Sequence, residues 1–335
     1  MAHPTLEDVA ARAGVSRALV SLVMRGSPKV AEQRRNAVLE AARELGYRPN
    51  MMARGLAAGR TGIVGVLLSD LHDSGCADLH AGLADEAGDA RLFLTTGRGR
   101  PARELAALND LLDLRPDGVV LAGPRISAAD IERAAAGCPT VVVGRSLRST
   151  RVDCVTGDDT AAVEQAIAHL TDLGHRHLAC LDVGARPSPL RRACEAAGLA
   201  VVTAPDELSR AATGVLALGD RTGTAALTAL LRAGKRVPDD VSLIVHGTPP
   251  GAGAAQVTTI APSPAELGSL AMKTLLSRIK DGPSAQPHRL TVPPRLTPRT
   301  TTKAHQTRFP ARSRAVSAAV PVLSPRARTP VAARD

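Results

Sequence analysis

Aromatic residues are nearly absent from the chain. Its 335 residues contain no Trp, one Tyr (Tyr47) and two Phe (Phe93 and Phe309). The core must therefore be aliphatic, and a ligand site would lack the ring faces on which sugars and bases stack. The five cysteines (Cys76, Cys138, Cys154, Cys180, Cys194) form no CxxC or zinc-type spacing. They fall mostly in apolar runs, which predicts buried free thiols in a reducing compartment. No apolar run is long enough to span a bilayer, and Met1-Ala2-His3-Pro4 leads into a polar helix rather than a secretory leader. A cytoplasmic protein with no membrane partner is the expectation. Also missing are a Gly-x-Ser-x-Gly elbow, a Gly-x-x-x-x-Gly-Lys loop and a Gly-x-Gly-x-x-Gly after a strand; Gly97-Arg98-Gly99 lacks the third glycine. His169, His175 and His177 complete no metal spacing. No enzyme activity, catalytic residue, cofactor or metal is therefore expected.

What is present is unevenly placed positive charge. The net charge is +10. Residues 1–60 carry ten Lys/Arg against five Asp/Glu, and residues 297–335 carry eight against one. The remaining 24 Lys/Arg and 26 Asp/Glu leave residues 61–296 at −2. A near-neutral body with two basic ends suits a polyanion-binding module and a tail, or solvated surface charge in the tail.

Periodicity divides the chain. Thr5 with Asp8 three residues later reads as a capping box, and Leu6, Val9 and Ala10 continue as a helix stopped by Gly14. Ser16 opens a second short helix with Val20 and Val23 inward, broken at Gly26-Ser27-Pro28. A third runs from about Glu32 to Leu45 with Val38, Leu39, Ala42 and Leu45 inward and Gly46 as its cap. Such a set of short helices is a helix-turn-helix headpiece (1–48). Residues 49–60, weakened by Gly55 and Gly59, read as a hinge that becomes helical only against a partner. From Ile63, apolar runs (63–68, 92–94, 118–121, 141–143, 178–181, 215–218, 243–245) alternate with helical stretches (103–114, 160–173, 222–232, 265–279). The fold class is α/β: an all-α headpiece and a body (61–296) of two doubly wound parallel-sheet subdomains. Ser69-Asp70, Gly144-Arg145 and Gly219-Asp220 would line a crevice at the strand ends. From 297 to 335 the composition collapses to Pro, Arg, Ala, Ser and Thr, and disorder is expected.

Three stretches carry a resemblance: Leu6–Ser16 with Val20-Ser21, Val38–Ala42, and Leu45-Gly46-Tyr47-Arg48-Pro49-Asn50 followed by Ala53-Arg54-Gly55-Leu56. They resemble the headpiece and hinge of the LacI family of bacterial transcription regulators. Asp158-Asp159, His169-Leu170, Leu173-Gly174-His175-Arg176, Val237–Ser242 and Val257–Ile260 extend the resemblance through a periplasmic-binding-protein-like body to about residue 296. The resemblance implies a homodimeric, sequence-specific regulator, by family habit a repressor, nucleoid-associated through its binding to a pseudo-palindromic double-stranded DNA operator. It implies base reading by Arg17 and Ala18, and insertion of Leu56 into the minor groove. Phosphate contacts would come from Thr5, Ser16, Ser21, Arg25, Tyr47, Arg48, Asn50 and Arg54. A small-molecule effector such as a sugar would meet Asp73, Arg186 and Asp220. Each has a plainer role open to it: Ser16 as a cap, Arg17 as solvated charge, Leu56 as core cover, Asp220 as a helix N-terminus.

The chain departs from the family too. Ala31 stands where a capping Ser is usual. Asp73-Ser74-Gly75-Cys76 replaces an aromatic-bearing Asn-Pro-Phe-Phe, and Gly247 takes the place of a third polar effector contact. The interval from Gly198 to Asp220 is about half the family's, which predicts a missing helix-strand segment. A repressor that has lost its effector response, and an α/β small-molecule-binding protein with a vestigial headpiece, stay open as alternatives.

Overall fold

The computed structural model describes residues 4–48, 60–183, 188–204, 207–208, 212–247, 249, 256–282 and 286–305. Three helices open the chain: α1 (Leu6–Ala13), α2 (Arg17–Met24) and α3 (Glu32–Glu44). Val9, Val20, Val23, Val30 and Val38 close their small aliphatic core, with Ala41 and Ala42 from α3. The inward face of α3 thus runs through Val38, Ala41 and Ala42. Leu39, expected inside, is 48% exposed, because the headpiece core is only one stripe wide.

The body is two lobes. The first contains β1 (Ile63–Leu68), α4 (Cys76–Glu86), β2 (Arg91–Thr96), α5 (Pro101–Asp113), β3 (Gly118–Ala122), α6 (Ala128–Ala135), β4 (Thr140–Val143) and β5 (Asp153–Gly157). The second contains α7 (Asp159–Asp172), β6 (Leu178–Leu181), α8 (Pro189–Ala196), β7 (Ala200–Val202), β8 (Gly214–Leu218), α9 (Asp220–Arg232), β9 (Ser242–His246) and β10 (Thr258–Pro262). The chain then returns through α10 (Pro264–Asp281) and β11 (Arg289–Val292) to the first lobe and through β12 (Pro294–Thr297) to the second. The sheet orders are β11-β5-β4-β3-β1-β2, parallel throughout, and β12-β10-β9-β8-β6-β7, parallel except for β12 on β10.

Strands such as β1, Ile-Val-Gly-Val-Leu-Leu, are buried at every position, as a sheet covered on both faces requires. Helix α10 starts at the second lobe yet packs Leu267, Ala271, Met272 and Leu275 into the first lobe's core. It lies close enough to α4 that a Cβ on Gly82 would strike the Ala265 carbonyl, and one on Gly268 the Leu79 carbonyl. The lobes are therefore joined by three adjacent crossings, at 157–159, 262–264 and 292–294.

Two expectations need correction. The second lobe shows no α-helix between β7 and β8 among its described residues, but it keeps the strand β7, so the expected loss of a strand does not hold. Residues 298–305, assigned by composition to the unstructured tail, are built into the second lobe. Leu243 N–H donates to the Thr301 carbonyl (2.8 Å), Thr301 Oγ1 donates to the Leu243 carbonyl (2.8 Å), and the His175 ring donates from Nε2 to the Lys303 carbonyl (3.0 Å). Such an edge is held by backbone and hydroxyl bonds, which leave no hydrophobic period in the sequence. Residues 306–335 lie outside the described residues.

Candidate functional site

Two regions gather the expected residues. In the headpiece, Thr5 Oγ1 accepts the Asp8 N–H (3.3 Å), and Asp8 Oδ2 accepts the Thr5 N–H and hydroxyl, both at 2.8 Å. The Thr5 backbone N–H, then its hydroxyl, hold the Asp8 carboxyl below the ordinary carboxylate range. Gly14, at φ 67°, ends α1 in the left-handed conformation that suits glycine. Two residues on, Ser16 Oγ accepts the Leu19 N–H (3.3 Å) and starts α2. Thr5 and Ser16 therefore both act as helix caps in this structure.

Successive residues of a helix turn by about 100°, so Arg17, Ser21, Arg25 and Ala18 share one arc of about 100°. The opposite side carries the buried Val20 and Val23. Arg17, Ala18 and Arg25 are exposed and Ser21 is half-buried. Arg17 Nε pairs with Glu7 Oε1 at 2.9 Å, with 68% of the Arg17 side chain still exposed. Arg25 Nε donates to the Ser21 carbonyl (3.2 Å). Tyr47 packs partly against the headpiece core, its N–H donating to the Ala42 carbonyl (2.8 Å), and Arg48 is exposed. The arc offers a guanidinium and small side chains at a helix N-terminal end, which is what a major groove admits. Asn50, Arg54 and Leu56 lie outside the described residues, as does the hinge from 49 to 59.

The second region is the crevice between the lobes. Asp73 and Ser74 from the β1–α4 loop meet Asp220 at the start of α9, with Ser74 Oγ hydrogen-bonded to Asp220 Oδ2 across the crevice. Burial, then repulsion from Asp70, pushes the Asp73 carboxyl above its ordinary value. Gly247 (φ 122°) lies so close to Asp220 Oδ1 that a Cβ there would collide with it. The place of the expected third polar contact is thus occupied by the Asp220 carboxylate. Arg186 lies outside the described residues.

Of the three strand-end pairs expected to line the crevice, Asp220 borders a cavity that opens there, and the other two do not line it. Ser69 is turned inward: its hydroxyl donates to the buried Glu104 Oε1 (3.1 Å). Glu104 Oε2 accepts the N–H groups of Arg125 (2.6 Å) and Ile126 (3.2 Å), so one buried carboxylate fixes the loops after β1 and β3. Arg145 Nη1 braces the Pro124 and Ile126 carbonyls at 3.1 and 2.7 Å. Sequence reading missed Glu104, His72, Ser74 and Arg221. A glutamate inside an amphipathic helix gives no signal of burial until its partners from other loops are known. The described residues contain no group of His, Cys, Asp and Glu able to hold a metal ion, and no helix of theirs is long and apolar enough to cross a membrane.

Residues 5–50 match the family model "Bacterial regulatory proteins, lacI family", and residues 167–302 match a periplasmic binding protein-like domain. Catabolite control protein A of Priestia megaterium is 34% identical over 197 residues, 58% of this chain and 59% of that protein. The maltose regulon regulatory protein MalI of Escherichia coli (strain K12) is 36% identical over 194 residues, 56% of each. The chain thus spans little more than half the length of these two relatives. The HTH-type transcriptional regulator CelR of Thermobifida fusca is 32% identical over 335 residues, covering 86% of this chain and 95% of that protein. Among solved structures, a lac repressor dimer bound to operator and the anti-inducer ONPF superposes with TM-score 0.75 at 24% identity, over 90% of this chain and 100% of that one. That likeness is one of fold. A CelR–cellobiose complex matches with TM-score 0.59 at 28% identity, over 89% and 99%.

Proposed function

Because the chain belongs to the lacI family of bacterial regulatory proteins, we propose that it is a homodimeric, sequence-specific DNA-binding transcription regulator acting as a repressor. The observation that carries this reading is the capped, exposed arc of α2. Arg17 and Ala18 lie at its N-terminal end, Ser21 and Arg25 flank them, and Val20 and Val23 anchor its back. Arg17 bonds two acceptors of a guanine, Ala18 leaves room for or touches a thymine methyl, and the flanking donors set register on phosphates. Thr5, Tyr47, Arg48, Asn50 and Arg54 complete the backbone contacts, and Leu56 of each subunit wedges into the minor groove at the operator centre. Two headpieces related by the dimer axis read a pseudo-palindrome.

The crevice holds the effector, a small metabolite met by Asp73, Arg186 and Asp220. CelR, with cellobiose bound in its solved complex, supports a carbohydrate-like, hydroxyl-rich ligand. Ligand and the Ser74–Asp220 bridge compete for the same carboxylate, so binding alters the angle between lobes joined by three crossings and biases hinge order. That bridge also favours a second reading, a repressor without an effector; stoichiometric heat from any member of a metabolite panel in calorimetry removes it.

The test of DNA recognition is selection of duplexes from a random library at near-physiological salt. An enriched pseudo-palindrome is expected. Arg17→Ala should then cost about 1–3 kcal/mol on the selected site and relax preference at one base position. An equal loss on every sequence would contradict base reading by Arg17.

A further inference from the structure

The two lobes share one strand order but differ in one element. In the first lobe, residues 97–117 between β2 and β3 hold α5, which covers β1 and β2 beside α6. In the second lobe the equivalent connection is only residues 203–213, and no helix of its described residues lies over β6 and β7. Along the flank of α9 left open there runs a cavity of about 1430 Å³. It begins in the crevice at Asp73, Ser74 and Asp220 and follows α9 to Arg232 and Lys235. From Arg221 to Arg232 this is about 16 Å at 1.5 Å per residue.

Its two ends differ chemically. The crevice end offers carboxylate acceptors. The middle is walled by Val215, Ala225, Ala229 and Leu230. Thr224 and Thr228 also line it, but their hydroxyls donate to the Asp220 and Thr224 carbonyls of their own helix (3.1 and 2.9 Å). At the far end the cavity is lined by Arg232 and Lys235, the latter close enough to the exposed Asp240 to exert a small lowering effect on its carboxyl.

We propose that this groove extends the effector site and takes an elongated aliphatic carboxylate with a hydroxylated head. The head donates to Asp73 and Asp220, the methylenes lie along Ala225 and Ala229, and the carboxylate meets Arg232 and Lys235. The proposal rests on the reading of the crevice as the effector site. A compact sugar fills only the crevice end; the space of a missing helix suits a longer molecule.

The probes are 6-, 8- and 10-hydroxyalkanoates titrated calorimetrically into the full chain, with Ala229→Phe and Arg232→Glu as variants. Ala229 faces open volume, so the phenyl ring fills the groove, and Arg232 is exposed, so its replacement leaves the fold intact. The expected result is one site per chain, affinity rising roughly three- to fourfold per methylene, and about tenfold weaker binding of the longest probe in each variant. No binding by the wild type, no dependence on chain length, or unchanged affinity in both variants overturns the proposal. Duplex selection on the same preparations keeps the two readings apart. Operator enrichment without probe binding removes only the groove ligand, and probe binding without enrichment removes only DNA recognition.

Discussion

Arg17 is paired in the structure with an acidic residue of the preceding helix. In the structure its Nε faces Glu7 Oε1 at 2.9 Å, with both side chains more than 60% exposed. An exposed pair of this kind contributes about 0–1 kcal/mol, and on the base-reading role proposed above it must open before Arg17 engages DNA. Glu7→Gln should therefore strengthen binding to the selected operator by up to about fivefold while leaving the melting temperature unchanged. Fluorescence anisotropy on one labelled duplex reads this; weaker binding would mean that Glu7 itself contributes to recognition. Gly247 teaches the complementary lesson. The family resemblance marks it as a lost polar contact, but the Asp220 carboxylate stands where its side chain would begin. Packing from another element decides that position, and no local property of residue 247 reports it.

At the scale of elements, caps and buried partners set the energetics. Helix α3 starts at Ala31 without a side-chain cap bond, whereas Ser16 caps α2 and Ser127 caps α6. Ala31→Ser should stabilise the headpiece by about 1 kcal/mol, seen as a higher urea midpoint with unchanged slope. In the first lobe, Asp153 at the start of β5 is fully buried. It receives the Arg278 guanidinium from α10, one bond being Nη2 to Oδ1 at 2.8 Å, and the His288 N–H just before β11 at 2.6 Å. It thereby ties together three elements that local sequence patterns leave unrelated. Asp153→Asn leaves a buried guanidinium poorly compensated and should cost about 3–5 kcal/mol. Chemical denaturation checks this; a loss under 1 kcal/mol would show that the bond network relaxes around the change. Patterns did reveal the caps, because Thr5-x-x-Asp8 and Ser16 act on their own helices. The Asp153 network was invisible, since its members are 125 and 135 residues apart.

For the whole molecule, the buried histidines of the second lobe predict an acid sensitivity. Burial lowers the pKa of His169 and His175 and brings His246 to about 4. His169 and His175 also hold residues 302 and 303, through Thr302 Oγ1 at 3.1 Å and the Lys303 carbonyl. Between the ordinary value near 6.5 and the depressed ones, the unfolded chain binds more protons than the folded one, so stability falls as pH drops through this window. Thermal unfolding from pH 7 to pH 4.5 should show that decline, and His246→Asn should flatten it; an equal slope in the variant would assign the effect to other groups.

The sequence by itself determined what short-range physics governs. Hydrophobic periodicity placed the main strands and helices, Gly14 and the caps marked the helix-turn-helix, and the halved interval before Asp220 signalled a shortened second lobe. The tertiary structure alone decided which edge each segment joins and what the shortening removed. It showed that β7 stays while the described residues after it form no α-helix, that residues 298–305 are hydrogen-bonded onto the second lobe at Leu243, and that Asp220 is bridged to Ser74 from the other lobe. The physical reason is range. Helix starts and strand faces follow from interactions within a few residues, whereas edge pairing, buried ion pairs and the groove along α9 arise from segments that meet only when the chain is folded.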